Sequence, residues 1–358
     1  MPYIVDIQTS FPEFFYTQEQ LIGEITKQWE GKLTNLKRIE QIHQNVLVKS
    51  RHLAVPLDKY FSFESFDEKN NLYIEKAVEL AEQAIVKLLK KNNLKEEDIS
   101  SLWSNTVTGF AIPSLDARVM NKIAFKKNTK RVPLMGLGCM AGVAGINRVA
   151  DYLKAYPNEA VIFFSVELCS LTVQSEDISV ANLVSTGLFG DGCAAVLMVG
   201  DNHPLKNNAP LKWLSSESIF FPDTQDVMGW AVGEKGLKII LSKSVPQVTE
   251  KELPGPLNEF LKANALELSQ IDTFIAHPGG PKVLLAMEKV FDLPEGGLKH
   301  SWESLAENGN MSSVSVLDIF KRTIEESALK RQELKGRKAI SLAMGPAFSA
   351  ELGLLEWN

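Results

Sequence analysis

The stretch PLMGLGCMAGVAG at residues 133–145 decides the fold, because it places one cysteine among small residues between two regular elements. The segment KRVPLMG at residues 130–136 overlaps the beginning of this stretch. It is short and apolar, which is typical of a buried strand. Residues 139–156 then carry small and apolar residues at helical spacing, and the apolar run at 159–168 predicts a second strand. Strand, helix and strand at this spacing indicate a βαβ unit with a buried parallel sheet.

The remainder of the chain repeats this order. A polar, proline-bearing stretch at residues 201–213 is the best candidate for a boundary between two similar halves. We therefore predict an α/β protein with an N-terminal half at 1–205 and a C-terminal half at 206–358. The elements that support this division are predicted strands at 101–107, 193–201, 337–345 and 347–357, a strand followed by a turn at 268–280, and predicted helices at 73–91, 281–291 and 314–330.

Size and composition are those of an ordinary folded protein. The 358 residues are 45% hydrophobic and 23% charged, which excludes the low-hydrophobicity composition of disordered chains. The net charge of −6 argues against a nucleic-acid partner, because such proteins carry a basic bias. The first residues contain no basic leader followed by an apolar segment, and no apolar run reaches the ~18 residues of a membrane span. We expect a cytoplasmic protein.

Cysteine usage is sparse. Cys139, Cys169 and Cys193 are the three cysteines, and their odd number and wide spacing favour neither a disulfide framework nor a zinc site. Free thiols are therefore expected, and any of them could be reactive.

The loop around Cys139 has three interpretations. Gly136, Gly138 and Ala141 satisfy the G-x-G-x-x-A pattern of a dinucleotide-phosphate loop, with Glu167 as the ribose-binding acid of a nicotinamide oxidoreductase. However, Glu167 lies about thirty residues on, rather than the ~20 that this pattern requires. A second interpretation is a tight packing turn. In the third, the positive end of a helix dipole lowers the pKa of the Cys139 thiol and makes it a nucleophile.

Two further segments offer partners for such a nucleophile. His277 follows a predicted strand, at the edge where α/β sheets usually present their sites, and the rigid turn Pro-Gly-Gly-Pro leaves space beside its imidazole. Asn310 precedes a predicted helix, where it is either a capping amide or a functional carboxamide. Together these residues would supply a thiol, an imidazole and an amide.

Five strings in this order resemble one known family. They are GLGCMAG around Cys139, LVSTGLFGDGCAAV at 183–196, IAHPGGPKVL at 275–284, GNMSS at 309–313 and the Gly-Pro loop near the end. Their order and spacing resemble those of the chalcone and stilbene synthases, the type III polyketide synthases, and ELCSLT at 167–172 is similar to bacterial members. The resemblance covers roughly residues 100–358.

The resemblance implies a fold and an activity. The expected fold is a thiolase-like αβαβα arrangement, and the expected assembly is a homodimer. The expected reaction condenses an acyl-CoA starter with malonyl-CoA, with no metal or organic cofactor. By this resemblance Cys139, as a thiolate paired with His277, would hold the acyl chain. His277 and Asn310 would donate hydrogen bonds to the malonyl thioester carbonyl.

The same resemblance suggests residues around the substrate. Phe189 matches an aromatic gate between the CoA tunnel and the cavity. Ile239 stands where plant members carry a second gating phenylalanine, which predicts a wider gate. Cys169 replaces a cavity-lining threonine. Lys49 and Arg51 are candidates for binding the CoA phosphates.

The terminal loop departs from the family, which usually reads Gly-Pro-Gly where this chain has Gly345, Pro346 and Ala347. Alanine disfavours a positive φ, so the loop is expected either to stay in ordinary backbone space or to reshape the cyclisation pocket.

The function predicted from the sequence is a type III polyketide synthase that extends an aliphatic acyl-CoA and releases a pyrone or a resorcinol-type product. Two other functions stay open at this point. One is a ketoacyl-acyl-carrier-protein synthase of fatty-acid synthesis, and the other is the nicotinamide oxidoreductase. The sequence leaves the starter length, the number of extensions and the mode of ring closure open.

Overall fold

A computed structural model describes residues 1–31 and 37–358. The strands are β1 (Tyr3–Ser10), β2 (Phe14–Thr17), β3 (Ser50–Leu53), β4 (Ser101–Thr106), β5 (Lys130–Met135), β6 (Ala160–Leu168), β7 (Asp191–Val199), β8 (Leu211–Phe220), β9 (Met228–Gly233), β10 (Gly236–Leu241), β11 (Ile271–Ala276), β12 (Lys338–Gly345) and β13 (Ser349–Trp357). The helices are α1 (Gln18–Gln28), α2 (Lys37–Asn45), α3 (Phe66–Lys91), α4 (Leu115–Val119), α5 (Ala141–Ala155), α6 (Val180–Leu188), α7 (Val245–Glu252), α8 (Pro254–Ala263), α9 (Pro281–Val290), α10 (Lys299–Asn308), α11 (Ser313–Ser327) and α12 (Arg331–Leu334).

One mixed sheet organises the part of the chain described here. Its nine strands run in the order β11-β12-β13-β8-β1-β7-β6-β4-β5. β1 and β8 meet at its centre, where Tyr3 pairs with Lys212. From β1 outward, β1 pairs with β7 and β7 with β6 in antiparallel directions, and β6 pairs with β4 in parallel. From β8 outward, β8 pairs with β13 and β13 with β12 in antiparallel directions, and β12 pairs with β11 in parallel. The repeat predicted from the sequence is present in the topology, and the boundary at residue 205 stays a prediction.

Alternating side chains create the layers. Along β6, Phe164 packs into the cluster that contains helix α3, whereas its neighbour Phe163 packs into the cluster that contains α5 and α11. Along β12, Leu342 packs into the cluster that contains α8 and α9, and Ala343 packs into the α5 and α11 cluster. Because successive strand residues point to opposite faces, α5 and α11 lie between the two ends of the sheet. The predicted αβαβα layering is confirmed.

Small residues in α5 allow this middle layer to pack closely. A Cβ on Gly142 would lie 2.4 Å from the carbonyl oxygen of Ser313, which begins α11. A Cβ on Gly145 would lie 2.1 Å from the Phe163 ring. The glycines of the opening stretch therefore bring the starts of α5 and α11 together, which positions the groups that precede each helix.

No helix among the described residues is long and apolar enough to cross a membrane.

Candidate active site

The loop before α5 presents Cys139. β5 ends at Met135, and a short 3-10 turn, Gly138–Met140, leads into the helix. Gly138 has φ +54°, and a Cβ there would lie 2.4 Å from Cδ of Pro346. Only glycine combines this backbone with so close a neighbour. The turn leaves Cys139 half-buried at the start of the helix.

Asn310 lies at the corresponding place before α11. Its backbone N–H donates to the Leu188 carbonyl at 2.8 Å, and its carbonyl accepts from Gly190 N–H at 3.0 Å. Its side-chain Oδ1 accepts from the backbone N–H of Ser312 at 2.8 Å. This bond fixes the carboxamide and leaves its Nδ2 group without a hydrogen bond within the described chain.

Ser312 links the side chain of Cys139 to that of Asn310. The Cys139 Sγ lies 3.5 Å from the Ser312 Oγ, and Ser312 is also the residue that holds the Asn310 side chain. Cys139 and Asn310 are therefore brought together across 171 positions of sequence. The sequence shows Ser312 only as part of the string GNMSS. A serine before a helix is usually a cap, so no other role was predicted for it.

His277 follows β11 and is 3% exposed. Its backbone N–H donates to the Leu342 carbonyl at 2.9 Å, whereas neither ring nitrogen has a hydrogen-bond partner among the described residues. The loop after it reaches α6, because a Cβ on Gly280 would lie 3.8 Å from Leu188, whose carbonyl holds Asn310. A buried imidazole with two unpaired nitrogens is unusual in a folded protein and indicates a site for a ligand.

Burial sets the ionisation of these groups. Desolvation raises the pKa of Cys139 to about 11, and the hydroxyl of Ser312 opposes that rise. Desolvation also lowers the pKa of His277 to about 3. Both groups are therefore neutral at pH 7 without substrate. The expected lowering of the thiol pKa by the helix dipole does not dominate here, because the loss of hydration outweighs it.

Phe189 adjoins this centre. It terminates α6 and pairs with Asn310 in an isolated β-bridge. Its ring lies 6.3 Å from the ring of Trp230, between centroids. Trp230 pairs with Ile239 across the β9–β10 hairpin, so the two side chains share a face. The wider gate expected from Ile239 stays a prediction, and Trp230 is a neighbouring aromatic residue that the sequence did not indicate.

Arg51 does not have the exposure expected of a phosphate ligand. Its side chain is 1% exposed, and its guanidinium donates to the carbonyls of Phe189 at 2.7 Å, Thr186 at 3.1 Å and Gly187. Three residues at the end of α6 are thus held by one cation, and burial lowers the pKa of this guanidinium to about 9. The assignment of Arg51 to CoA is corrected to a positioning role, while Lys49 is exposed and stays a candidate.

Glu167 is fully buried and cannot bind a ribose. Its carboxylate accepts hydrogen bonds from the Thr108 hydroxyl at 2.8 Å, the Val107 N–H at 3.1 Å and the Thr106 hydroxyl at 3.3 Å. The Ser313 hydroxyl also donates to it, which joins β6 to the start of α11. Desolvation raises its pKa to about 7, despite these four donors.

The terminal loop packs against the cysteine turn. A Cβ on Gly345 would lie 2.6 Å from the Leu137 carbonyl oxygen, and Pro346 contacts Gly138 as described above. Ala347 has φ +54°, so the chain adopts the left-handed conformation with an alanine. Of the two alternatives expected for this loop, ordinary backbone space is excluded, and a reshaped cyclisation pocket stays a prediction.

Cys169 lies beside the centre and is 1% exposed. Desolvation, followed by the charge of Glu167, raises the pKa of its thiol well above the ordinary value. A buried thiol of this kind is inert, which agrees with a wall rather than a second nucleophile. Among the residues that the structure describes, no group of three or more His, Cys, Asp or Glu could hold a metal ion.

Comparisons with known proteins agree with this geometry. The family pattern described as FAE1/Type III polyketide synthase-like protein matches residues 59–214, and that of the chalcone and stilbene synthases, C-terminal domain, matches residues 213–356. A 1,3,6,8-tetrahydroxynaphthalene synthase of Streptomyces peucetius subsp. caesius is 37% identical, covering 99% of this chain and 93% of the relative. A putative chalcone synthase of Bacillus subtilis is 34% identical, covering 100% and 99%.

A solved structure shows the same fold. The crystal structure of 1,3,6,8-tetrahydroxynaphthalene synthase from Streptomyces coelicolor superposes with a TM-score of 0.91 at 28% identity, covering 99% of each chain. The protein is thus an acyltransferase with a thiolase-like fold. Within that class, the chain belongs to the type III polyketide synthases. Neither the fatty-acid condensing enzyme nor the nicotinamide oxidoreductase is favoured by these findings.

Proposed function

We propose that this chain joins an acyl-CoA starter to malonyl-CoA by decarboxylative Claisen condensation. The observation that carries the proposal is that three polar groups have few or no hydrogen-bond partners within the described chain. The Cys139 sulfur has a single weak contact at 3.5 Å, the ring nitrogens of His277 have none, and Nδ2 of Asn310 has none within the described chain. Buried polar groups are normally paired, so such a set is arranged for a substrate.

Loading of the starter uses the first two groups. The Cys139 sulfur attacks the thioester carbonyl, and the neutral imidazole of His277 accepts the thiol proton as the carbon–sulfur bond forms. The CoA thiolate leaves with a proton, and the acyl group stays on the enzyme as a thioester. Because burial keeps both groups neutral beforehand, the proton moves during the attack rather than before it.

Extension uses the imidazole and the amide. Malonyl-CoA binds with its thioester carbonyl near His277 and Nδ2 of Asn310, and its carboxylate leaves as CO2. The electron pair forms an enolate, whose oxygen is stabilised by these donors. The enolate carbon attacks the acyl thioester and expels the Cys139 thiolate. No metal or organic cofactor takes part, and CoA thioesters are the substrates.

We propose an aliphatic starter and a pyrone or resorcinol-type product, and the surroundings of the centre bear on how the intermediates are held. Phe189 and Trp230 form an aromatic wall beside Asn310, which excludes water from the enolate. The exposed Lys49 is a candidate for binding CoA phosphate. The loop at Gly345 and Pro346 contacts the cysteine turn, so its shape affects ring closure of the bound chain.

A second candidate product is 1,3,6,8-tetrahydroxynaphthalene. The 37% identity to a synthase of that name over nearly the whole chain favours it. The two candidates share the condensation chemistry and differ in the starter and the product. Mass spectrometry of the products distinguishes them, because tetrahydroxynaphthalene has one defined mass whichever acyl-CoA is supplied.

We also propose a homodimer. Strand β5 is at the edge of the sheet, and Met135 at its end is 55% exposed. Ile112, in the loop after β4, is 97% exposed. An open strand edge beside large exposed apolar side chains is a surface suited to a second copy of the chain. Light scattering after size-exclusion chromatography tests this proposal, and a cytoplasmic location stays a prediction.

The central test uses purified protein with malonyl-CoA labelled at its free carboxyl group. We expect labelled CO2 release and extended products when acyl-CoA starters are added. Malonyl groups on an acyl carrier protein serve as the comparison, because a fatty-acid condensing enzyme would use them and a type III synthase would not. Absence of both CO2 release and extension across all starters would contradict the proposal.

A further inference from the structure

Helices α6 and α10 end at the same place in the molecule. α6 ends at Leu188, and α10 ends at Asn308. The β-bridge between Phe189 and Asn310 joins the segments that follow them. A Cβ on Gly190 would lie 2.1 Å from the Asn308 carbonyl oxygen, so the two helix ends are in close contact. The last carbonyls of a helix have no partner within it and carry partial negative charge. The position of the bridge therefore depends on which groups donate to these carbonyls.

Strand β3 supplies donors to both helix ends. The backbone N–H of Lys49, just before the strand, donates to the Ala306 carbonyl of α10 at 2.7 Å. The Ser50 hydroxyl donates to the Glu307 carbonyl at 2.9 Å. Arg51, the next residue, donates to three carbonyls at the end of α6. These contacts place β3 between the two helices, beside the bridge.

Gln18 joins β3 to the end of α6. It is the first residue of α1 and is 7% exposed. Its backbone N–H donates to the Lys49 carbonyl at 2.8 Å, and its side-chain Nε2 donates to the Gly187 carbonyl at 3.1 Å. Nε2 also donates to the His43 carbonyl at 2.8 Å, and Oε1 accepts from the Arg51 guanidinium. Both N–H donors and the oxygen of this amide are thus used within the protein.

Gln18 belongs to a segment outside the nine-stranded sheet. β2 and β3 form a separate two-stranded sheet, and α1 follows β2 directly. Loss of the amide would leave the Gly187 carbonyl with one donor instead of two, and the Arg51 guanidinium with one acceptor fewer. The end of α6 could then shift while the large sheet stays folded.

We propose that Gln18 is a positioning residue for decarboxylation of the malonyl unit. It acts through Arg51 and the Gly187 carbonyl, and it fixes the bridge between Phe189 and Asn310. The inference rests on the proposed function, because that function assigns Nδ2 of Asn310 to the malonyl thioester oxygen. A displacement of about 1 Å at a reacting group can lower a rate by ~10²-fold, so partial loosening of the bridge should lower decarboxylation measurably.

This role predicts an effect on one of the two steps. Cys139 and His277, which load the starter, follow other strands, β5 and β11. Loading should therefore not depend on Gln18. A variant that only reduced the amount of folded protein would lower loading and decarboxylation by the same factor.

The test replaces Gln18 with an apolar residue of similar length. In Gln18→Met we expect kcat for CO2 release from malonyl-CoA to fall about tenfold and KM to change less than twofold. Dodecanoyl loading on Cys139, measured by mass spectrometry of the intact protein, should change less than twofold. Gln28→Met is the matched control, because the Gln28 amide donates within α1 to Glu24 at 2.7 Å. It should leave both steps unchanged.

A double variant tests the route of the effect. Gln18 and Arg51 share a hydrogen bond and the Gly187 carbonyl, so their effects should not be independent. We expect Gln18→Met combined with Arg51→Lys to release CO2 no more than about threefold more slowly than Arg51→Lys alone. Losses that multiply in full would contradict action through Arg51.

A milder variant keeps the test informative if Gln18→Met does not fold. Gln18→Asn is one methylene shorter, so its amide cannot reach all the partners of Gln18, and CO2 release should fall about threefold with loading unchanged. Normal CO2 release in both variants, or equal losses of loading and CO2 release, would overturn the role of Gln18 alone. An unmodified protein that releases no CO2 from malonyl-CoA contradicts the proposed function instead.

Discussion

The two halves of the molecule build the same structure and use it for different chemistry. In each half a helix of the middle layer begins at the centre of the molecule, α5 in the N-terminal half and α11 in the C-terminal half. Two residues before α5 stands Cys139, and three residues before α11 stands Asn310. Equivalent places in the fold therefore carry the proposed nucleophile on one side and the proposed amide donor on the other.

The difference shows how a repeated fold becomes asymmetric in function. Gly142 in α5 allows the Ser313 carbonyl of α11 to approach, so the two helix starts meet. Under the proposed function, Cys139 on one side and Asn310 on the other divide the reaction into a step for bond formation to sulfur and a step for enolate stabilisation. The repeat supplies the positions, and the side chains at those positions supply the chemistry.

Removal of the sulfur should have the largest effect. We expect Cys139→Ala to lower condensation by roughly 10⁴-fold or more, because loss of a nucleophile removes the covalent route. Mass spectrometry of the intact protein after incubation with dodecanoyl-CoA should show no acyl adduct. The matched control is Cys169→Ala, which should still acquire the adduct. An adduct retained in Cys139→Ala would show that the nucleophile is elsewhere.

Removal of the amide in the other half should separate the two steps. Asn310→Ala is expected to lower malonyl decarboxylation by ~10²–10³-fold, the usual cost of one lost donor to a developing oxyanion. Acyl loading should fall far less, because Cys139 and His277 are intact. His277→Gln should impair both steps, since the imidazole serves both. Decarboxylation at the normal rate in both variants would contradict their assigned roles.

The sequence predicted the repeated fold well, because the fold depends on local pattern, whereas the roles of Cys139, His277 and Asn310 stay predictions. The apolar runs, the small-residue face of α5 and the rare strings around Cys139, His277 and Asn310 are visible in the letters. What the sequence did not predict depends on contacts between distant segments. Arg51 looked like a surface cation, and only the position of α6 shows it buried on backbone carbonyls. The contact of Trp230 with Phe189 arises from a hairpin whose position is not encoded locally.

Arg51 belongs to the N-terminal half and supports the wall beside Asn310 of the other half. We expect Arg51→Lys to raise KM for malonyl-CoA or lower kcat by about tenfold, because an ammonium cannot span three carbonyls. The informative readout is the ratio of decarboxylation to extension, which should rise as Phe189 loses its position and water reaches the enolate. Lys49→Ala is the comparison and should affect KM alone. A uniform loss of folded protein with normal activity in the remainder would indicate a purely structural role.

Glu167 links the two halves through Ser313, and its effect should appear as pH-dependent stability. In the folded protein the pKa of the Glu167 carboxyl is about 7, above the ordinary value of 4.5. Between pH 4.5 and pH 7 this carboxyl is therefore protonated in the folded state and ionised in the unfolded state. The stability contributed by the protonated acid is therefore full below pH 4.5 and is lost as pH rises through 7. Relative to the unmodified protein, Glu167→Gln should gain on the order of 3 kcal/mol between pH 4.5 and pH 8. Urea unfolding at several pH values measures this gain, and a pH-independent difference would contradict it.

The smallest effect is expected where the terminal loop of the second half meets the cysteine turn of the first. Ala347 has φ +54°, a conformation that costs an L-residue about 1 kcal/mol and glycine almost nothing. Glycine also gains freedom in the unfolded chain, which offsets part of the benefit. Ala347→Gly should therefore raise the unfolding temperature by about 1–2 °C. Because the loop contacts Gly138 through Pro346, the same variant should shift the ratio of lactone to resorcinol products while leaving CO2 release unchanged. If Ala347→Gly is more stable and the product ratio is unchanged, the backbone conformation of this loop does not affect ring closure, which contradicts the second part of this prediction.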